Sequence, residues 1–279
     1  MDLQRIFDEK FSGLERKHEG RFSVAAKGLS FEAFYERGGD RVLPTASVYK
    51  LCVLCELFRQ AESGVIDLDA LITWRPEFYC GGDGVLRAMS PGQRLSVRNM
   101  AALMIIVSDN IAAETLLDLC GAERVTRTMR EWGLQDTRIP PSRYEDGAGA
   151  ESSDEPMSTA RDLCSLVTRI YRKDLLTGES CGEIMRILRA QRCNDMLARF
   201  IPVGEDWGEA EDWIANKTGY GTCRVEAGIV KKGDLVFSLA MFFKPLRRTP
   251  VVFKSLADYP PVLAMAEGCR AVYESFLDV

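Results

Sequence analysis

The strand signals of this chain are confined to its two ends. Short segments with strand character occur early, in F-S-V-A-A and S-F-E-A-F-Y-E-R, and return only late, in D-W-I-A-N-K, T-C-R-V-E-A-G-I-V and D-L-V-F-S-L-A-M-F-F. Because an unpaired strand edge is unfavourable, strands from the two ends must pair with each other. The sequence therefore predicts one antiparallel sheet of about five strands, with Lys232-Gly233 as the turn between the last two.

The residues between these strands are predicted to be mostly helical. Apolar residues at helical spacing, bounded by capping and stop residues, predict helices near 48–63, 97–107, 110–119, 123–132 and 159–171, with terminal helices at 2–17 and 262–277. We therefore predict an α/β (α+β) fold of two lobes. The sheet lobe is discontinuous, residues 1–45 and 205–279, and is covered by the terminal helices, while residues 46–204 form an inserted all-helical lobe. The cleft between the lobes is the expected ligand site.

Charge and hydropathy exclude several classes of partner. The net charge is −5, and no Lys/Arg run exceeds a pair, so nucleic acid is not an expected partner. No apolar run, the one through Ala101 to Val107 included, approaches the roughly 18 residues of a membrane span, so no membrane is expected. We expect a monomer that acts on a small molecule.

The cysteines favour a reducing compartment. Nine cysteines are an odd number, and several lie in apolar helical runs, which predicts free thiols. Cys52 and Cys55 form a C-x-x-C without a second pair, which favours core packing over redox or metal chemistry, and neither a metal site nor a cofactor is predicted. The start, M-D-L-Q-R-I-F-D-E-K-F, is unlike a signal peptide, so we expect a cytoplasmic protein, or a periplasmic or secreted one if a signal was removed.

The chain has a single histidine, and this limits the possible catalytic bases. His18 is expected at the exposed end of the first helix. A Ser-His-Asp or Cys-His mechanism requires an imidazole near the nucleophile. If this is a serine enzyme, its base must be another group.

The segment T-A-S-V-Y-K-L-C-V-L sets Ser47 and Lys50 one helical turn apart. A buried lysine has a lowered pKa and can act as base for the adjacent hydroxyl. The alternative is a helix-capping serine beside a lysine that snorkels to the surface, since an S-x-x-K match is expected by chance about half the time. Alone, this motif is weak.

Two further motifs follow in the order that acyl transfer requires, S-D-N at residues 108–110 and K-T-G at residues 217–219. Ser108 could pass a proton to a leaving nitrogen, and Asn110 could hold a substrate amide. Lys217 and Thr218 offer groups for a substrate carboxylate, while Gly219 allows close approach. Each motif alone could be a helix cap or a polar strand end, but the three together favour acyl transfer.

With these motifs the chain resembles the class A β-lactamases, which are penicillin-recognising serine hydrolases. Segments similar to family blocks occur in family order: L-P-T-A-S-V-Y-K-L, E-S-G-V-I-D-L-D, G-D-G-V-L, L-S-V-R-N-M-A-A-L-M-I-I-V-S-D-N-I-A and W-I-A-N-K-T-G. The resemblance implies a two-lobed serine β-lactamase-like fold.

The resemblance also implies roles for individual residues. Ser47 would attack a strained cyclic amide while Lys50 helps to remove its proton and Ser108 relays that proton. The backbone N–H groups of Ser47 and Tyr220 would form the oxyanion hole. Arg224 would add charge for the substrate carboxylate, the alternative being an exposed strand residue.

The chain departs from the family in the loop that serves deacylation. The resemblance implies a Glu-x-x-Leu-Asn string that positions the deacylating water, and this chain has none. By its position after R-Y, Glu145 is the candidate for that glutamate, with Glu151 and Glu155 as substitutes. All three could instead be solvated loop acids. Tyr220 is also bulkier than the small residue common after K-T-G, which would narrow the site.

Three functions therefore stay open. The first is hydrolysis of β-lactams through a Ser47 acyl-enzyme. The second is a penicillin-binding relative that acts as a D-alanyl peptidase or esterase. The third is a ligand sensor without enzymatic activity, whose binding would survive Ser47→Ala.

Overall fold

The structure, a computed structural model, describes residues 3–75, 78–141, 155–203, 211–247 and 258–278. The described helices are α1 Leu3–His18, α2 Lys50–Glu62, α3 Val97–Ile106, α4 Asn110–Cys120, α5 Ala122–Glu131, α6 Ala160–Arg172, α7 Gly178–Arg189 and α8 Pro260–Leu277. The described strands are β1 Gly20–Gly28, β2 Phe34–Arg37, β3 Leu43–Pro44, β4 Leu71–Thr73, β5 Arg94–Ser96, β6 Met157–Ser158, β7 Trp213–Tyr220, β8 Arg224–Lys232 and β9 Leu235–Pro245.

The main sheet joins the two ends of the chain, as predicted. Its five strands are antiparallel and run in the order β2-β1-β9-β8-β7. The turn between β8 and β9 uses Gly233 at φ +56°, and the Gly233 N–H donates to Asp212 Oδ1 at 2.7 Å. The edge strand β7 carries the K-T-G motif. Two short strand pairs, β3-β6 and β4-β5, lie outside this sheet.

Both faces of the sheet are buried, which explains why β9 is a nearly continuous apolar run. One face, with Ala240 and Phe242, packs in a core shared with the helices that follow β3. The other face, with Met241 and Phe243, packs with α1 and α8. Period-2 alternation sends successive side chains to opposite faces, so a strand covered on both sides has apolar residues at every position.

The helix boundaries agree with the predicted ones within about two residues. Helix α7 was not predicted, although the Thr177 hydroxyl caps it by accepting the Ser180 N–H at 3.2 Å. Thr159 caps α6, because its hydroxyl accepts the Asp162 N–H at 3.0 Å, while the neighbouring Ser158 lies in β6. The lobe boundaries at 45/46 and 204/205 stay a prediction. None of the described helices combines the length and apolarity needed to cross a bilayer.

The predicted exposure of His18 was wrong. Its side chain is 6% exposed, and Nε2 lies 2.8 Å from Glu267 Oε2. The cause is α8, which packs beside α1 and brings Glu267 to the end of the first helix. The predicted burial of Cys52 and Cys55 is confirmed, because both are fully buried free thiols in the core.

Candidate active site

Ser47 lies in a 3₁₀ turn, Ala46–Tyr49, that leads directly into α2 at Lys50. The turn begins with Ala46 in the left-handed region, at φ +44°. A non-glycine residue in this conformation costs of order 1–3 kcal/mol and persists only where the surroundings hold it. The Val48 N–H closes the turn by donating to Thr45 O at 3.1 Å. The Ser47 side chain is half-buried.

The glycine of K-T-G lets strand β7 approach this turn. A Cβ at Gly219 would lie 2.8 Å from Thr45 O and 3.2 Å from the Ser47 nitrogen. Any larger residue would push β7 away from the turn. Gly219 therefore brings the backbone of the edge strand against the backbone of Ser47, with Tyr220 the next residue along the strand.

Lys50 is fully buried and reaches the S-D-N motif. Its Nζ donates to Ser108 O at 2.7 Å and to Asn110 Oδ1 at 2.7 Å, and lies 3.2 Å from Ser108 Oγ. Among the described residues, Lys50 has no carboxylate within ion-pair distance and no hydrogen bond to the Ser47 hydroxyl. The predicted contact between Ser47 and Lys50 is therefore replaced by contacts from Lys50 to Ser108.

Ser108 contacts both lysines, Lys50 and Lys217. The Lys217 Nζ donates to Ser108 Oγ at 3.1 Å and to Thr218 O at 2.8 Å. Ser108 is 2% exposed and has a left-handed backbone, with φ +54°. One hydroxyl thus lies between two buried ammonium groups, and it can exchange protons with either.

The two ammonium groups differ in charge near neutral pH. Burial lowers the pKa of Lys50 to about 7, and repulsion from Lys217 adds to this, while Asp83 and Asp109 oppose it. Burial lowers the pKa of Lys217 to about 8. Near neutral pH a large fraction of Lys50 is therefore neutral and able to accept a proton, whereas most of Lys217 is charged and able to attract an anion.

Asp109, the middle residue of S-D-N, has the helix-capping role that was left open for this motif, and a second role in a neighbouring loop. Its Oδ1 accepts the Ala112 N–H at 3.0 Å and caps α4, while its Oδ2 accepts the Val85 and Leu86 N–H groups at 2.6 and 2.9 Å. It therefore joins the G-D-G-V-L loop to the helix that begins with Asn110. The position directly before a helix is the signal for the cap, whereas the contacts to Val85 and Leu86 have no local sequence signal.

The other predicted ligand groups are distributed over two faces of β7. Asn110 lies on the Lys50 side, and its Nδ2 donates to Gly81 O at 2.9 Å. The Thr218 hydroxyl lies on the opposite side, buried, 3.0 Å from Cys193 O and 3.1 Å from both Glu226 oxygens. Sequence reasoning did not identify Glu226, because an acid inside a strand is usually read as exposed.

Tyr220 and Arg224 flank the turn after K-T-G. The Tyr220 hydroxyl donates to Asp195, and burial raises the pKa of Tyr220. The suggestion that Arg224 is an exposed strand residue was wrong, because it is 7% exposed and its guanidinium lies 5.0 Å from the Tyr259 ring centroid. Its Nη1 donates to Gly221 O, and its buried Nε has no partner within the described ranges.

The predicted deacylation residues are only partly described. Glu145 and Glu151 lie outside the described residues. Glu155 is half-buried and precedes Pro156, whose carbonyl accepts the Thr45 N–H at 2.9 Å. Glu155 is therefore near in sequence to a direct contact of the Ser47 turn, and all three acids stay candidates. No group of three or more His, Cys, Asp or Glu side chains in the described ranges could hold a metal ion.

Known proteins resemble this chain over most of its length. The model of the Beta-lactamase enzyme family matches residues 6–274. The chain belongs to this family. In sequence it is 24% identical to Beta-lactamase L2 of Stenotrophomonas maltophilia over 188 residues, which are 67% of this chain and 59% of that protein. The matched segment thus spans less than two thirds of that relative.

Solved structures show the same fold. A β-lactamase from Sphaerobacter thermophilus superposes with a TM-score of 0.85, covering 100% of this chain and 99% of that one at 21% identity. PBP-A superposes with a TM-score of 0.82, covering 99% and 97% of the two chains at 24% identity. The predicted class A β-lactamase fold is confirmed.

Proposed function

We propose that this protein is a serine hydrolase that opens β-lactam amides through a Ser47 acyl-enzyme. The observation that carries the proposal is the buried pair of lysines around Ser108, with Lys50 Nζ 3.2 Å and Lys217 Nζ 3.1 Å from the same hydroxyl oxygen. A buried lysine that is partly neutral can act as the general base, the role that a histidine has in a Ser-His-Asp mechanism. Family membership supports the same reaction class.

The proposed steps move one proton in a closed path. Neutral Lys50 takes the Ser47 proton as Ser47 Oγ bonds to the carbonyl carbon of the amide. The backbone N–H groups of Ser47 and Tyr220 stabilise the resulting oxyanion. The C–N bond then breaks, the nitrogen takes the Ser108 proton, and the Lys50 ammonium restores that proton to Ser108. Charged Lys217 binds the substrate carboxylate, with Arg224 as a further predicted contact, and Asn110 holds the substrate amide. The Thr218 hydroxyl, predicted to contact the same carboxylate, bonds to Glu226 instead.

Release of the acyl group requires a water molecule that attacks the ester and returns Ser47 to its free form. Glu145 is the proposed base for that water, with Glu151 and Glu155 as substitutes. The loop sequence E-D-G-A-G lacks the leucine and asparagine that the family pattern contains. This departure is the reason to retain a second candidate.

The second candidate is a penicillin-binding relative that is acylated but acts on D-alanyl peptides or small esters. The similarity to PBP-A favours it, because the fold of that protein matches nearly as well as that of the β-lactamase. A variant of PBP-A has been solved as an acyl-enzyme complex with penicillin-G. The two candidates share acylation and differ in the fate of the acyl group.

The deciding experiment follows intact protein mass over time after mixing with penicillin G. We expect an adduct in the wild type and none in Ser47→Ala, with Ser63→Ala, an exposed serine at the end of α2, as the matched control. An adduct that decays within minutes, and persists in Glu145→Gln, supports the β-lactamase. A lasting wild-type adduct supports the penicillin-binding relative. Binding without any adduct, unchanged in Ser47→Ala, would refute both and leave a ligand sensor.

A further inference from the structure

A buried acid lies directly behind the K-T-G strand and has no part in the proposed reaction. Glu226, on β8, is 0% exposed. Within the described ranges no lysine or arginine forms an ion pair with it. Its carboxyl instead contacts three hydrogen-bonding groups: Asn216 Nδ2 at 2.7 Å, Thr218 Oγ1 at 3.1 Å and the Leu197 N–H at 3.5 Å. An ionised carboxylate without a cationic partner is costly to bury.

The sheet register explains why these groups meet. Thr218 and Glu226 are directly opposite each other in the antiparallel β7-β8 pair, so their side chains share a face. Asn216 lies two residues earlier and shares that face, while Lys217 points to the other side, toward Ser108. Residues 191–203 cross the Glu226 face and contribute Cys193 O and Leu197 N.

The single hydroxyl proton of Thr218 indicates the protonation state of Glu226. Thr218 has one hydroxyl proton, and Cys193 O, at 3.0 Å, can only accept. If Thr218 donates to Cys193 O, its oxygen can contact Glu226 only by accepting, which requires a protonated carboxyl. If Glu226 were ionised, Thr218 would donate to it, and Cys193 O would lose this donor. Only the protonated carboxyl lets the Thr218 hydroxyl hydrogen-bond to Glu226 and to Cys193 O at the same time.

We propose that Glu226 is a positioning residue whose neutral carboxyl donates to Thr218 Oγ1, which in turn donates to Cys193 O and fastens residues 191–203 to the K-T-G strand. The proposal deepens the proposed function and rests on it, because β7 holds Lys217 against Ser108. It also means that the Thr218 proton is already used when a substrate carboxylate arrives. Lys217 then remains the main group for that carboxylate.

The surroundings of Glu226 agree with a neutral carboxyl. Burial raises the pKa of Glu226 to about 8, which the hydrogen bonds and the charge of Lys217 only partly oppose. The titratable groups that face it are Lys217 and Tyr220 on β7, Cys193 in the crossing segment and Cys269 on α8. Of these, only Lys217 is a cation, and burial lowers its own pKa to about 8.

The first test measures unfolding free energy against pH for the wild type and Glu226→Gln, whose amide can keep the hydrogen bonds with Asn216 and Thr218, gives up the long one from the Leu197 N–H, and cannot ionise. An acid that stays protonated when folded, while the unfolded chain ionises above 4.5, makes the native state bind more protons. Wild-type stability should therefore fall relative to Glu226→Gln, by up to about tenfold in the unfolding constant per pH unit, from about pH 5 to about pH 8.

The matched control is Glu56→Gln, because Glu56 is equally buried but pairs with Arg59 at 2.7 Å, and its pKa is lowered. The stability contribution of Glu56 is lost only as pH falls below about 4.5, so the difference between the wild type and Glu56→Gln should stay constant from about pH 5 to about pH 8. A constant difference between the wild type and Glu226→Gln over this pH range would overturn the proposal.

The second test measures positioning through acylation by penicillin G at pH 7. Glu226→Ala should lose at least about tenfold in acylation rate, and Glu226→Gln should stay within about threefold of the wild type. Only the glutamine can donate to Thr218 Oγ1 and so keep the hydrogen bond from Thr218 to Cys193 O. Equal rates in all three proteins would refute the positioning role. If the wild type forms no adduct, the proposed function fails while the stability test still decides the state of Glu226.

Discussion

Gly219→Ala should displace the nucleophile without changing any reacting group. The added Cβ would lie 2.8 Å from Thr45 O, whereas ordinary contact begins near 3.4 Å. Strand β7 and the Ser47 turn must therefore separate by about 0.6 Å, and a backbone oxygen cannot rotate out of the way. Forcing extra volume into a packed site costs about 1–3 kcal/mol of stability. A displacement approaching 1 Å costs on the order of 10²-fold in rate, so we expect acylation to slow at least about tenfold.

The assay is the rate of acyl-enzyme formation with penicillin G, measured by intact mass, together with denaturant unfolding. Gly182→Ala is the matched control, because Gly182 lies on α7 and a Cβ there meets nothing within 4 Å. That control should gain up to about 1 kcal/mol of stability and keep its acylation rate. If Gly219→Ala acylates at the wild-type rate, the close approach of β7 is not what positions Ser47, and the reasoning is wrong.

Two further predictions concern charge and support. Because Lys50 must be neutral to accept a proton and its pKa is about 7, acylation should accelerate by up to about tenfold per pH unit between about pH 5 and about pH 7; a flat profile would contradict its role as base. Because Lys217 loses its charge above about pH 8, the KM of a carboxylate substrate should rise above that pH, whereas the KM of an uncharged ester should not. Equal rises for the two substrates would contradict the role of Lys217 in binding the carboxylate. Asp109→Ala leaves three N–H groups without their acceptor and should cost about 3 kcal/mol in denaturant unfolding, while Asp109→Asn should cost less; no loss in either would show that the G-D-G-V-L loop does not depend on this cap.

The sheet and most helices could be predicted from the sequence, because their signals are local or follow from pairing of edges. The strands β8 and β9, with the turn at Gly233, form a hairpin whose register is set by short-range pattern. The S-D-N and K-T-G motifs identified the groups that meet at Ser108, because their order along the chain is part of the signal. Helix α7 was missed although Thr177 caps it, because no run of apolar residues marks its start.

What the sequence did not reveal depends on partners that are distant along the chain. The His18 side chain is only 6% exposed, and its partner Glu267 lies 249 residues later in the chain. Lys50 follows Ser47 by three residues in the sequence, but its observed contact is with Ser108, 58 residues later. Glu226 reads as an exposed strand acid until the crossing segment with Cys193 and Leu197 covers its face. Local spacing cannot report these contacts, because tertiary packing creates them.

The site combines several features that each oppose folding. The helices and strands that stabilise these features also position the reacting groups. Lys50 and Lys217 are buried like charges, and Ala46 and Ser108 have left-handed backbones. Such features persist only where surrounding contacts stabilise them. Lys50 donates hydrogen bonds to Ser108 O and Asn110 Oδ1, and β7 lies against the Ser47 turn because Gly219 has no side chain. Burial disfavours the charged form of Lys50, and for the same reason a fraction of the molecules carry a neutral Lys50 near pH 7. Stability is therefore lost at the atoms where a proton acceptor is required.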